Sequence, residues 1–309
     1  MSELIHKFDK KEDDRKLPEG GQEFRRNREL RPEMTYPEGM RRICLTVEYN
    51  GSSFHGFQAQ ASGIKNVQHE LESALSSVAD ENITIVCAGR TDAGVHASYQ
   101  VIHFDTLAVR PLKAWSLGVN ARMGAGVSIQ SAYEVTPNFH SRFSALYRTY
   151  RYVIYNNSAR SAILSKIATW EKRPLNVDAM KQAAKCLVGK HDFSAFRASR
   201  CQSKTPVRTI ERIRFAESDQ LIVLEVKANA FLHHMIRNIV GSLFAVGFGD
   251  KPSGWVGDLL ALKDRRLAAA TAPSDGLYLV DVGYPEEFGL PKHRLGPVFL
   301  PDQMVWVDV

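Results

Sequence analysis

Tyr147-Arg148-Thr149-Tyr150-Arg151-Tyr152-Val153-Ile154-Tyr155 is the stretch from which the fold is read. It is long, aromatic and β-branched, which fits a pleated, half-buried surface, and Tyr150, Tyr152 and Ile154 fall on one face of it. Downstream, Val177, Met180, Ala184 and Leu187 keep helical spacing up to a stop at Gly189. Residues 207–215 and 221–228 read as an antiparallel pair of strands. Leu232, Met235, Ile236, Ile239, Val240 and Leu243 form a helical stripe, Trp255, Val256, Leu259 and Leu260 a further helix, and residues 277–282 a last strand.

Upstream the same order appears. Ile43, Leu45, Val47 and Tyr49 alternate with Cys44, Thr46 and Glu48, and Asn50-Gly51 closes that strand with a turn. Val67, Leu71, Ala74, Leu75 and Val78 predict a helix with Asn66 as its N-cap. Strands follow at residues 83–87, 99–104 and 127–133, with a helix at 112–119. Strand and helix alternate in both halves, so the class is α+β. The expected architecture is two domains, residues 39–139 and 140–309, each a mostly antiparallel or mixed sheet covered by helices, with a basic cleft between them. Residues 1–38 mix Lys, Arg, Asp and Glu with almost no aliphatic period, and are expected to form a mobile charged extension.

The chain has 309 residues, 44% hydrophobic and 24% charged, with a formal net charge of +6. That suits a soluble globular protein and favours a polyanionic partner without specifying one. The cysteines, Cys44, Cys87, Cys186 and Cys201, form no C-x-x-C pair and no metal spacing with a histidine. The start lacks an apolar signal core, and the apolar run at 239–248 is too short to span a bilayer, so a cytoplasmic location without membrane contact is expected.

Three residues stand out as carriers of chemistry. Asp92 lies between Gly89 and Gly94 in a loop after a strand, where a carboxylate can accept backbone N–H bonds and face a cleft; an ordinary Asx-turn is the alternative. Arg237 shares a helix side with His233, His234, Asn238 and Gly241, a set unlike the Lys and Glu of a solvated face, although a solvated face remains the alternative. Tyr150 offers a ring for stacking on a base and a phenol for proton transfer, or serves as plain core. Arg142, beside Phe139, His140 and Phe143, is one of several arginines among aromatics, a pattern that fits phosphate contact with base stacking. No P-loop, G-x-G-x-x-G, H-E-x-x-H or G-x-S-x-G motif is present, which leaves open a cofactor-free reaction built on a carboxylate.

Four collinear blocks resemble the TruA-type tRNA pseudouridine synthases. They are Ala88-Gly89-Arg90-Thr91-Asp92-Ala93-Gly94-Val95-His96, the strand Tyr150-Arg151-Tyr152, residues 231–241, and Ala270-Thr271-Ala272-Pro273 followed by Gly276-Leu277-Tyr278-Leu279. The resemblance spans about residues 43 to 300. It implies that Asp92 is the nucleophile, Tyr150 packs on the target base, Arg237 pairs with the aspartate, Leu277 lies under the base and Arg90 handles the flipped nucleotide, with His233 and Arg142 as further substrate contacts. It also implies no cofactor and no metal, a homodimer, and uridines 38, 39 and 40 of the tRNA anticodon stem-loop as substrate. Asn50 stands where the family pattern has an acidic residue, and Phe57 where it has tryptophan; an arginine expected near Gln58-Ala59-Gln60 is missing. A catalytically silent tRNA-binding or folding factor on the same scaffold is the alternative function. A carboxylate glycoside hydrolase is a third reading, and it would need a second acid about 5–10 Å from Asp92.

Overall fold

In a computed structural model, residues 36–58, 64–301 and 303–309 are described. The charged extension expected over residues 1–38 therefore falls almost wholly outside the described residues, as do Ala59 and Gln60. The protein is mixed α/β. Its strands are β1 (Arg41–Tyr49), β2 (Val86–Cys87), β3 (His96–Thr106), β4 (Val127–Val135), β5 (Tyr147–Asn156), β6 (Thr169–Glu171), β7 (Gly189–Asp192), β8 (Val207–Ser218), β9 (Leu221–Ala228), β10 (Leu277–Gly283) and β11 (Trp306–Asp308). Its helices are α1 (Val67–Ala79), α2 (Val177–Ala184), α3 (Met235–Gly247) and α4 (Trp255–Leu262).

One sheet runs through the described residues in the order β11-β8-β9-β5-β10-β3-β1-β4, with β2, β6 and β7 as short side pairings. Neighbours on the main path are antiparallel except β10 and β3, which run parallel and share only Tyr278↔His96 and Leu279↔Ala97. The first half of the chain meets the second at that seam, and His96 stacks on Tyr278 across it with ring centroids 4.6 Å apart.

The period-two alternation of β5 divides the sheet's surroundings. Tyr150, Tyr152 and Ile154 belong to the large core, which includes α3, with Tyr152 meeting Phe244 edge to face. Val153 belongs to a smaller core with Val223, Tyr278, Val280 and Leu300, covered by the C-terminal segment. Helix α1 starts as its sequence predicts: the Asn66 side chain accepts from the His69 amide, and Val67, Leu71, Ala74, Leu75 and Ala79 are buried. Asn50, the departure from the family pattern, caps the next turn by accepting from the Ser52 amide, a role its Oδ1 fills as a carboxylate oxygen would.

Three expectations need correction. The strand expected at 83–87 is only Val86–Cys87 long, and the helix at 112–119 is distorted into a π-turn at Ala114–Gly118 that still buries Trp115. The helix carrying Arg237 begins at Met235, so Leu232, His233 and His234 precede it. Strands β6, β7 and β11 were not anticipated; each has three or four residues, too few to show a period.

Candidate active site

The site is assembled from four segments that meet at the seam between β3 and β10. The first is the loop 88–95, and buried polar side chains hold it from beneath. Gln100, fully buried on β3, donates to the Gly89 carbonyl at 2.6 Å and accepts from the Gly89 amide at 3.3 Å. Arg148 on β5 donates to the Ala88 carbonyl at 2.9 Å. The Thr91 hydroxyl pairs with the Tyr49 hydroxyl at 2.8 Å, and the Thr91 carbonyl accepts from the Phe57 amide. Phe57 thus anchors the loop through its backbone while its ring is buried near Tyr49. At the far end, His96 accepts from the Gly51 amide on Nδ1, which leaves Nε2 to donate to the Asp275 carbonyl. Burial pushes the His96 imidazole below its ordinary value, in keeping with that neutral form. Gly94 has φ +78°, and a Cβ there would strike the Ser274 side chain, so both the backbone and the space require glycine.

Asp92 stands at the tip of this braced loop with its side chain 24% exposed. Three cationic or ionisable groups from the third segment face it. Arg237 Nη1 lies 3.5 Å from Oδ2, His234 Nε2 lies 3.3 Å from Oδ2, and His233 Nε2 lies 3.3 Å from Oδ1. Arg237 is aimed by the fourth segment, donating through Nε to the Ala272 carbonyl at 2.8 Å while the Ala272 amide donates to the Arg237 carbonyl. Gly241 lets α3 approach that segment, because a Cβ would strike the Ala270 carbonyl oxygen.

The histidines reach Asp92 for a reason the helical spacing does not contain. His234 caps α3 with φ 60°, a left-handed conformation unusual for a residue with a Cβ. The two neighbouring imidazoles thereby turn toward one carboxylate, with centroids 4.0 Å apart. Burial lowers the His234 value, opposed by Asp92 and assisted by His233 and Arg237. Asn238 and Gly241, grouped with them by sequence, are buried instead. Asn238 donates to the Phe196 carbonyl and accepts from Thr271 and Arg265, tying α3 to its neighbours.

Tyr150, on β5 in the second segment, is buried beside the loop, with its hydroxyl close to Gly89 and its ring edge-on to Phe231. Burial, reinforced by the Asp92 charge, pushes its phenol well above the ordinary value, so it stays protonated. Leu277 is buried on β10 opposite Tyr152. Arg90 is exposed, donating weakly to Gln202 Oε1 at 3.4 Å. Arg142 is also exposed; it sits over the Phe143 ring, and no contact joins it to Asp92. Asp92, Arg237 and His233 are therefore brought together, Tyr150 lies next to them, and Arg90 and Arg142 occupy the surrounding surface. A cavity of about 490 Å³ adjoins the cluster, lined by His233, His234, Arg200, Arg265, Arg266 and Thr271 among others.

His234, Gln100 and Arg148 are the site residues that sequence reading left without a role. The latter two did leave a trace: each is a polar residue embedded in a strand of apolar and aromatic neighbours, where an unpaired polar group would be costly.

A loop-borne carboxylate faced by a guanidinium, beside a buried tyrosine, on a mixed sheet crossed at a parallel seam, is the arrangement in which the family comparison finds its matching segments. The tRNA pseudouridine synthase pattern matches residues 45–144 and 183–285, and the chain belongs to that family. Among its relatives, tRNA pseudouridine synthase A of Alcanivorax borkumensis is 52% identical over 265 residues, covering 86% of this chain and 99% of the relative. The Pseudomonas aeruginosa protein of the same name is 52% identical over 262 residues, 85% of this chain and 92% of the relative. That of Escherichia coli is 51% identical over 261 residues, 84% and 96% respectively. Among the described residues, no helix is long and apolar enough to cross a membrane.

Proposed function

We propose that this enzyme converts uridine to pseudouridine at positions 38, 39 and 40 of the tRNA anticodon stem-loop, with Asp92 as the nucleophile and Tyr150 and Arg237 as its catalytic partners. The observation that carries the reading is the open carboxylate of Asp92, flanked by Arg237 at 3.5 Å and neighboured by a protonated, buried tyrosine.

A stacked uridine must first leave its stem, at a cost of a few kcal/mol. Basic side chains along the phosphates, Arg90 and Arg142 among them, offset that cost. In the reaction the N1–C1′ bond breaks, the uracil turns, and the C5–C1′ bond forms. The proton leaves C5 and N1 gains one, so the isomerisation balances without an outside reagent. Asp92 acts either by attacking C1′ or by taking a ribose proton in an elimination, and both need a carboxylate with a free lone pair. Arg237 holds the anion in place. Tyr150 supplies a ring for the base, with Leu277 beneath it and His233 at the edge.

The domain division at residues 139 and 140, the basic cleft between the halves, the homodimer and the cytoplasmic location belong to the same proposal. The thin β3–β10 seam supports the domain division, and the family resemblance supports the cleft, the homodimer and the location.

The test is a tritium-release or mass-labelling assay on uridine-containing tRNA, with each modified position mapped. Wild type is expected to modify the three anticodon-stem positions, and Asp92→Ala none. Near wild-type formation by Asp92→Ala contradicts the mechanism, and tRNA binding without any turnover by wild type favours the silent binding factor. Tyr150→Phe keeps the ring and loses the phenol, so unchanged turnover there removes any essential proton role for the hydroxyl.

A further inference from the structure

We propose that Asp92, His233 and His234 form a binding site for a divalent transition-metal ion of the zinc class, and that the seated ion holds the enzyme inactive. The three residues each offer one ligand atom, and these atoms lie within 4.8 Å of one another. Two imidazole nitrogens and one carboxylate oxygen are the donor set that zinc takes in sites with an open fourth position.

The spacing comes close to what such an ion needs. An ion with bonds of about 2.0–2.2 Å in tetrahedral geometry sets its ligand atoms roughly 3.3–3.5 Å apart. His233 Nε2 lies 3.3 Å from Oδ1 of Asp92 and His234 Nε2 lies 3.3 Å from Oδ2, so the imidazoles approach the two oxygens separately, and small side-chain rotations are needed to bring all three ligands onto one ion. The backbone has already met part of the ordering cost: the left-handed conformation at His234 turns consecutive side chains toward a common point, and the loop beneath Asp92 is fixed by Gln100 and Arg148. Both histidines line the 490 Å³ cavity, which gives an ion and its remaining water a route in. Magnesium prefers oxygen ligands and a nearly ideal octahedron, so it is a poor competitor here.

Arg237 sets a limit. Its guanidinium stands 3.5 Å from Oδ2, and Arg200, Arg265 and Arg266 line the same cavity, so a cation enters against positive charge. The site therefore binds more weakly than one built to keep a metal, and reversible occupancy is expected in place of a resident ion. An ion on Asp92 takes the lone pair that the reaction needs. That inhibitory half rests on the nucleophile role proposed above; the binding half does not.

The full-length chain, stripped with a chelator, is titrated with Zn²⁺ against a chromophoric competitor and with Co²⁺ read by its visible absorption. One ion per chain is expected. His233→Ala, His234→Ala and Asp92→Asn should each weaken binding at least about tenfold, while Cys87→Ser and Cys201→Ser bind as wild type. Thermal melts confirm that each variant is folded. In a second arm, Zn²⁺ should stop pseudouridine formation by wild type, and chelator should restore it. Absence of binding in wild type, or binding undiminished in the folded histidine and aspartate variants, overturns the site. Binding that depends on all three residues but leaves turnover untouched overturns the inhibitory half alone, because the role given to Asp92 is judged separately by the turnover of Asp92→Ala.

Discussion

Two carboxylates in this protein are surrounded by positive charge, and they are treated in opposite ways. Glu225 on β9 faces away from α3, with its side chain only 1% exposed. It accepts from Arg151 at 2.9 Å, Arg214 at 2.7 Å and Arg212 at 3.1 Å, and Trp306 covers Arg151 and Arg214. Burial alone would raise its value, but the arginines outweigh it and hold the carboxyl below the ordinary range. Asp92 has three neighbours as well, all at 3.3–3.5 Å, and its side chain is 24% exposed. The saturated carboxylate joins β5, β8 and β9 and has no lone pair to spare. The loosely held one is braced through its backbone, which leaves its oxygens available for chemistry. Rigid support beneath an unsaturated group is what the nucleophile role proposed for Asp92 calls for.

The two carboxylates should differ most in what their removal does to turnover. Asp92→Ala is expected to lower turnover by on the order of 10⁴-fold or more while shifting the melting temperature little. At Glu225 the balance reverses. Glu225→Ala removes the carboxylate that compensates the buried Arg151 guanidinium and is expected to destabilise the fold by about 3 kcal/mol, measured by urea unfolding, with turnover per folded molecule close to wild type. Gln100 tests the bracing between the two extremes. Gln100→Ala leaves the Gly89 amide and carbonyl unpaired, costing about 1–3 kcal/mol, and slows turnover by loosening the loop.

The smallest effect is in acid. Because the folded Glu225 titrates below its ordinary value of 4.5, its stabilisation is fully present above about that pH. It is lost as pH falls from there through the folded value. Wild type should therefore lose unfolding free energy over that window more steeply than Glu225→Gln, and equal slopes would show that the cluster contributes no linkage.

The long elements were legible in the sequence because they carry either a period or a long apolar run. Strand β8 and helix α1 bury mainly one face, and alternation or 3.6-residue spacing follows from that, whereas β1, β5, β9, β10 and α3 are buried on nearly all sides and show instead as runs rich in apolar, β-branched and aromatic residues. What escaped was set by tertiary contact. The short strands β6, β7 and β11 exist by pairing with longer neighbours. The convergence on Asp92 joins residues from opposite halves of the chain, and it relies on a left-handed His234 that spacing cannot reveal. The family blocks located Asp92, Tyr150 and Arg237; they did not reveal that Gln100, Arg148 and the Ala272 carbonyl hold them in place.

The proposed mechanism rests on the charge of one side chain. Asp92→Asn keeps the shape and removes the charge, so the most direct measurement is its single-turnover rate of pseudouridine formation on tRNA, taken beside its melting curve. A folded, tRNA-binding variant with no detectable product is the predicted result. A folded variant that forms product at close to the wild-type rate would contradict it.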